Sequence, residues 1–232
     1  MIYITGDTHG DFSRFERFCE TVNPSAESDV MIILGDAGLN YYSSLKDIKN
    51  KARVAEFPLT FFCIHGNHER RPGTIGSYTT KEYRGGSVWY EEQFPNILFA
   101  KDGDIYNFDG NECIVIGGAY SVDKYYRVAR NWPWFADEQP SKEIKDYVES
   151  QLLARDNTID VVLSHTCPLR YEPVEMFLPG VDQSTVDAST EEWLGNIEGN
   201  LAYKKWYCGH YHTSKKVDRI QFMFEDIEEF CV

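Results

Sequence analysis

Five short stretches of this chain end an apolar run with groups able to hold a metal ion or move a proton. Asp7 and His9 lie in ITGDTHGD, Asp36 in ILGDAG, Asn67 and His68 in IHGNHE, His165 in LSHTCP, and His210 and His212 in CGHYHT. One aspartate after a strand is ordinarily a turn or a helix cap, and one buried histidine is ordinarily satisfied by a backbone carbonyl. Here five of the six histidines are among these named groups, beside small residues that permit close approach. A packing explanation would need every one of these positions to bury a costly polar group independently. A metal site explains them together. Imidazole, carboxylate and amide oxygen in one set suit Mn, Fe, Zn or Ni better than Mg or Ca, which prefer all-oxygen shells.

The elements that position these groups are legible as apolar runs at 1–4, 30–34, 59–64, 113–118, 160–164 and 205–209. They are short, continuous and partly β-branched or aromatic, as strands buried on both faces are. Parallel strands share one carboxyl edge, where ligands bind, so loops distant in sequence would meet there. Helical spacing links Phe12, Phe15, Phe18 or Cys19, and Val22, with Ser13 and Glu16 as a capping box. The same spacing links Leu45, Ile48, Ala52 and Ala55; then Ile144, Val148 and Leu152 after Pro140-Ser141; then Trp193, Ile197 and Leu201 after Thr190. Asp109-Gly110 between apolar runs predicts a two-residue hairpin. KKVDRI and QFMFEDI read as a closing hairpin. With no linker, repeat or low-complexity segment, residues 1–232 read as a single α/β domain.

Composition narrows the partners. The chain is 42% hydrophobic and 26% charged, and so globular. Its 37 acidic against 23 basic residues give a net charge of −14, which disfavours a broad grip on extended nucleic acid. Bound cations would offset that charge locally, so a phosphorylated small molecule or nucleotide fits better. The six cysteines have no Cys-x-x-Cys spacing and read as free thiols of a reducing compartment. With no signal-like start and no apolar run of about 20 residues, the expectation is a cytoplasmic protein without a membrane span. Nothing in the sequence specifies an oligomeric state.

The ordered set Asp-x-His, Gly-Asp, Gly-Asn-His-Glu, a single His and Gly-His-x-His spans residues 5 to 212 and resembles the calcineurin-like metallophosphoesterase family. The resemblance implies a four-layer αββα sandwich of two mixed β-sheets flanked by helices. It also implies two divalent transition-metal ions, manganese favoured, the first on Asp7, His9, Asp36 and His212. The second would lie on Asp36, Asn67, His165 and His210, with Asp36 shared. The implied reaction is hydrolysis of a phosphomonoester or small phosphodiester, in which a hydroxide shared by the ions attacks phosphorus. His68 would be the general acid and Glu69 a structural hydrogen-bond partner. A nuclease or cyclic-nucleotide phosphodiesterase is an alternative on the same fold. So is a non-catalytic binding module with a decayed site, although none of its ligands is missing.

In the protein Ser/Thr phosphatase branch the second motif continues Gly-Asp-x-Val-Asp-Arg-Gly. Here GDAGLNY places Leu39 and Asn40 at the Asp and Arg positions, which argues against protein phosphatase activity and leaves His68 without its orienting carboxylate. Asn40 could donate to a phosphate oxygen, and Arg127 and Arg130 in YSVDKYYRVAR are candidate phosphate contacts, with Arg70 and Arg71 behind them. Tyr126, Trp132 and Trp134 are expected to cover the core, and the stretch from Arg70 to Tyr126 to shape the cleft. His65 reads as structural.

Overall fold

Alternation along each strand dictates the layers. The computed structural model describes residues 1–42 and 45–232. In chain order it runs β1 (Ile2–Thr5), α1 (Ser13–Val22), β2 (Val30–Ile33), α2 (Leu45–Ala55), β3 (Thr60–Cys63), β4 (Thr79–Tyr83), β5 (Gly86–Glu91) and β6 (Phe94–Ala100). There follow β7 (Ile105–Phe108), β8 (Asn111–Ile116), α3 (Lys124–Ala129), α4 (Lys142–Leu153), β9 (Val161–Ser164), α5 (Ser189–Asn200), β10 (Lys205–Cys208), β11 (Lys215–Val217), β12 (Ile220–Phe222) and β13 (Glu228–Glu229). One sheet has the order β13-β1-β2-β3-β6-β5-β4, parallel from β1 to β6. The other has the order β11-β12-β10-β9-β8-β7, parallel from β12 to β8.

Ile4, Ile32, Phe62 and Leu98 fall in one row across the first sheet. Val115, Leu163 and Tyr207 do so across the second. All seven side chains belong to the one buried cluster between the sheets. Phe62 makes edge contacts with Tyr106 and Phe108 of the other sheet, at 4.8 and 5.1 Å between centroids. The alternate residues Met31, Ile33, Phe61 and Cys63 face outward against Phe15 of α1 and Val54 of α2. On the opposite side Ile114, Ile116 and Val162 face Val148 of α4 and Leu194 of α5. The result is two mixed sheets flanked by helices, an αββα sandwich whose strands are apolar on both faces because both faces are covered.

Several local expectations change. Ser13 and Glu16 form no capping box; the Ser13 amide donates to Asp11 Oδ1 (3.0 Å), a shorter turn that pre-empts it. The buried face of α2 is Asp47, Lys51 and Val54, while Leu45 and Ile48 are exposed. Polar pairing drives that rotation: Lys51 Nζ meets Glu91 at 2.5 Å and lies over the Tyr78 ring, and Asp47 accepts from the Tyr42 amide. At the C-terminus β11 and β12 turn at Asp218, inside KKVDRI, and the chain then crosses to the first sheet, where β13 pairs with β1. Strands β4 to β6 form the edge of the first sheet, where the sequence reading placed only a cleft-shaping stretch.

Asp109 and Gly110 both take positive φ, as the β7–β8 hairpin turn requires. Tyr126 and Trp132 do not cover the core. They are half-exposed and pack on each other, and the Trp134 indole donates to Glu138 Oε2 (2.8 Å). The six cysteines are free, four of them buried. No helix among the described residues is long and apolar enough to cross a membrane.

Candidate metal centre and active site

The ends of β1, β2 and β3 in one sheet meet the ends of β9 and β10 in the other. Asp7, Asp36, Asn67 and His165 are essentially buried there, while His9 and His212 stand open at the mouth. Each carboxylate uses one oxygen on a backbone amide: Asp36 Oδ1 accepts from His68 N–H (2.7 Å) and Asp7 Oδ1 from His210 N–H (2.9 Å). The other oxygens turn toward imidazoles. Asp7 Oδ2 has no hydrogen-bond partner and lies 3.5 Å from His212 Nε2 and 3.7 Å from His9 Nε2. Asp36 Oδ2 lies 3.7 Å from His165 Nε2 and 4.0 Å from His9 Nε2.

Tautomers decide what this cluster wants. His165 Nδ1 is 2.7 Å from the Leu34 carbonyl, which can only accept, so Nδ1 carries a proton, and Nε2 offers a lone pair whenever the ring holds no second one. Asn67 Nδ2 donates to Ser121 Oγ (2.8 Å), which aims Oδ1 back at His165 Nε2, 2.8 Å away, and at His210 Nδ1, 3.1 Å away. With no second proton on the His165 ring, an acceptor faces an acceptor beside a buried carboxylate. His9 Nε2 and His212 Nε2 also face each other at 2.9 Å. These donors fit cations, one position deep and one open to solvent.

The backbone is bent to achieve this. Among the described residues, His9, Asp36, His210 and His212 all take left-handed φ, between 47° and 67°. Such conformations cost about 1 kcal/mol or more apiece and persist only where the surroundings impose them. Two glycines permit the crowding: a Cβ on Gly66 would overlap Asp36 Oδ1, and one on Gly35 would overlap His165 Nδ1.

Charge follows geometry. Burial pushes the Asp36 carboxyl upward, yet His165, His68 and His9 outweigh it and hold the group below the ordinary carboxylate range. Asp7 behaves alike, its burial overcome chiefly by the His212 imidazole beside it, and the Asp7 carboxylate in turn raises His212. Burial presses His210 down to about 3, so its ring is neutral with a lone pair to give. Glu69 Oε1 accepts from the Gly66 amide (2.9 Å), and burial, followed by Asp36, pushes its carboxyl up to about 8. His65 is buried, and burial lowers its pKa well below the usual value.

His68 is partly buried, and burial lowers its pKa although Asp36 opposes this. Its ring is parallel to Tyr41 (6.3 Å), and Asp123 Oδ1 lies 3.6 Å from Nε2. That is too long for a hydrogen bond but close for electrostatics. Asp123, at the start of α3, thus stands where Leu39 leaves no carboxylate. The sequence reading missed it; the one trace is the i,i+4 pair with Arg127, whose Nη1 is 3.6 Å from Asp123 Oδ1. Arg127 is buried, donates to Ser121 Oγ (3.2 Å), and has no partner for Nε or Nη2.

The other substrate-contact candidates lie elsewhere. Arg130 is exposed, 3.5 Å over the Tyr126 ring. Asn40 is buried, with Oδ1 accepting from Tyr78 OH (2.9 Å). Arg71 is paired with Asp102 and donates to the Asp137 carbonyl. None of these lines the cavity above the cluster.

That cavity has a volume of about 390 Å³. His9, Asp36, Asn67, His68, His210 and His212 form its floor. From the stretch 70–126 only Tyr120, Val122 and Asp123 reach it; the rest of its shape comes from residues 172–191, between β9 and the first turn of α5, and from Tyr211. The sequence reading placed the cleft-forming segment too early, because 79–116 is consumed by strands.

The family model described as calcineurin-like phosphoesterase matches residues 1–214. Among solved structures, TT1561 of Thermus thermophilus is 12% identical, with a TM-score of 0.51 over 96% of this chain and 87% of that one. The phosphopantetheinyl hydrolase PptH from Mycobacterium tuberculosis is 14% identical over the same shares of the two chains, with a TM-score of 0.42. The first likeness shows a shared fold, and the second carries no argument. No curated protein matches the chain.

Proposed function

Because the chain belongs to the calcineurin-like phosphoesterase family, we propose that it hydrolyses a phosphomonoester or small phosphodiester with two divalent transition-metal ions. The observation that carries this reading is the acceptor-to-acceptor approach of His165 Nε2 and Asn67 Oδ1 at 2.8 Å, beside the buried Asp36 carboxylate. Only a cation turns that arrangement from repulsive to favourable while the ring stays neutral. Asp7, His9, Asp36 and His212 would hold one ion. Asp36, Asn67, His165 and His210 would hold the other. The donor set suits Mn, Fe, Zn or Ni, and the family resemblance puts manganese first. When bound, such ions lower the pKa of water and neutralise charge on phosphoryl oxygens.

The chain's own residues supply the rest. His68 donates the proton of Nε2 to the leaving oxygen. Burial works against the protonated ring, and the Asp123 carboxylate, 3.6 Å away, favours it. Tyr41 limits rotation of the imidazole by stacking on it. Arg127 ties the two parts together, lying beside Asp123 and donating to Ser121, which in turn fixes the Asn67 amide. The free cysteines agree with a reducing, cytoplasmic setting.

Metal analysis combined with assays on monoester and diester substrates tests the proposal. The wild type should carry two ions and turn over a phosphoester. Asp36→Asn should lose both properties, and His68→Ala should keep the ions while losing roughly 10²- to 10⁴-fold in kcat. Wild-type activity in both variants would refute the assignment. Negligible diester cleavage would remove a nuclease or cyclic-nucleotide phosphodiesterase from consideration.

A further inference from the structure

The cavity above the ligand cluster has two unlike parts. Its floor is polar, while its wall presents Tyr120, Val122, Met176, Phe177, Leu178 and Val181. Among the described residues no lysine or arginine lines it; the charged side chains of the wall are Asp123, Glu172 and Glu191. Val122, Met176 and Leu178 remain 39%, 42% and 57% exposed. Apolar side chains gathered and left open beside a polar site mark a place that a ligand covers. The wall is also braced. Phe177 stacks on Tyr211 (6.4 Å, 21°), Tyr211 OH donates to Glu172 (3.2 Å), and Lys215 pairs with Glu175 behind them.

Resting on the phosphoester-hydrolase reading, we infer that this wall seats the substrate's leaving group, and that the leaving group is an apolar chain or ring bearing no second anionic group. A phosphate on the floor directs the rest of its ester outward along 176–186, the direction in which the cavity is apolar. There a second phosphate or a carboxylate would give up water among three acidic side chains with no cation to meet it. A methylene placed there gains burial instead, worth roughly three- to fourfold in affinity.

Calorimetry on the Mn²⁺-loaded protein with n-alkylphosphonates from methyl to hexyl reads the wall without requiring turnover. The dissociation constant should fall roughly threefold per added methylene. A terminal carboxylate on the hexyl chain should reverse at least tenfold of that gain. Val181→Asp should flatten the dependence on chain length, and Val181→Met should keep it. A flat series in the wild type, or equal binding of the carboxylate-tipped chain, overturns the inference. Failure of the function reading shows differently, as phosphonates that bind with the expected chain-length dependence while neither monoester nor diester is turned over. If no phosphonate binds, both fall.

Discussion

The floor and the wall of one cavity are built by opposite means. The floor takes side chains from strand ends in two sheets, with left-handed backbone at His9, Asp36, His210 and His212 and glycines where carboxylate and ring approach. The wall takes much of its surface from the connection between β9 and α5, which has only three short 3₁₀ turns, at Leu169–Tyr171, Val174–Met176 and Gln183–Thr185. Groups on the floor cannot shift without disturbing both sheets. Residues of the wall can be exchanged at little cost to the fold. On the proposed function, reaction chemistry would fall to the rigid part and selectivity to the replaceable part.

Substitutions can break that division, beginning where the effect is greatest. Asp36→Asn should lower activity by more than removal of the proton donor does, because one carboxylate serves both cation positions; metal content and kcat/KM together check this. His68→Ala should cost roughly 10²- to 10⁴-fold in kcat with metal content unchanged. Asp123→Asn should cost less, roughly 10- to 100-fold in kcat, with KM nearly constant and partial recovery in Asp123→Glu, since it acts through His68. Phe177→Ala should raise KM severalfold for an alkyl or aryl ester and leave kcat alone. A loss of metal from that last variant would show the two parts to be one.

A separate effect, on stability and not on turnover, is a slope with pH. Burial pushes the Glu191 carboxyl up to about 7, from an ordinary value of 4.5. Between those values the folded chain keeps a proton that the unfolded chain has lost, so its stability is complete at low pH and declines as pH rises toward 7. At about 1.4 kcal/mol per pH unit the loss approaches 3 kcal/mol. Denaturant titrations across pH 4.5 to 7 should show this decline together with the like-signed one from Glu69, and Glu191→Gln should make the slope shallower by about 1.4 kcal/mol per pH unit.

The difference between floor and wall also explains what could be read in advance. A candidate ligand on the floor sits within a few residues of a strand end, so residue type and spacing are local signals. Asp123 acts across 55 residues on His68, and its only local trace was the spacing to Arg127. Arg127 and Arg130 look equivalent in sequence, yet α3 turns the first into the interior and leaves the second in solvent. Met176, Phe177, Leu178 and Val181 carry no periodicity, so nothing separated them from an ordinary loop. The buried face of α2 was misplaced because Asp47 and Lys51 are charged, and only their tertiary partners make that face the inner one.

His9 and His212 are 203 positions apart in the chain, yet their ring nitrogens lie 2.9 Å apart. Contacts of that span wait for both sheets to dock, and long-range closure of this kind is slow. A cation that needs both rings finds nothing to bind in a half-folded chain, so it cannot hasten folding. It would hold the finished molecule instead, by slowing unfolding. A chelator should therefore shorten the lifetime of the native state and leave the refolding rate nearly unchanged.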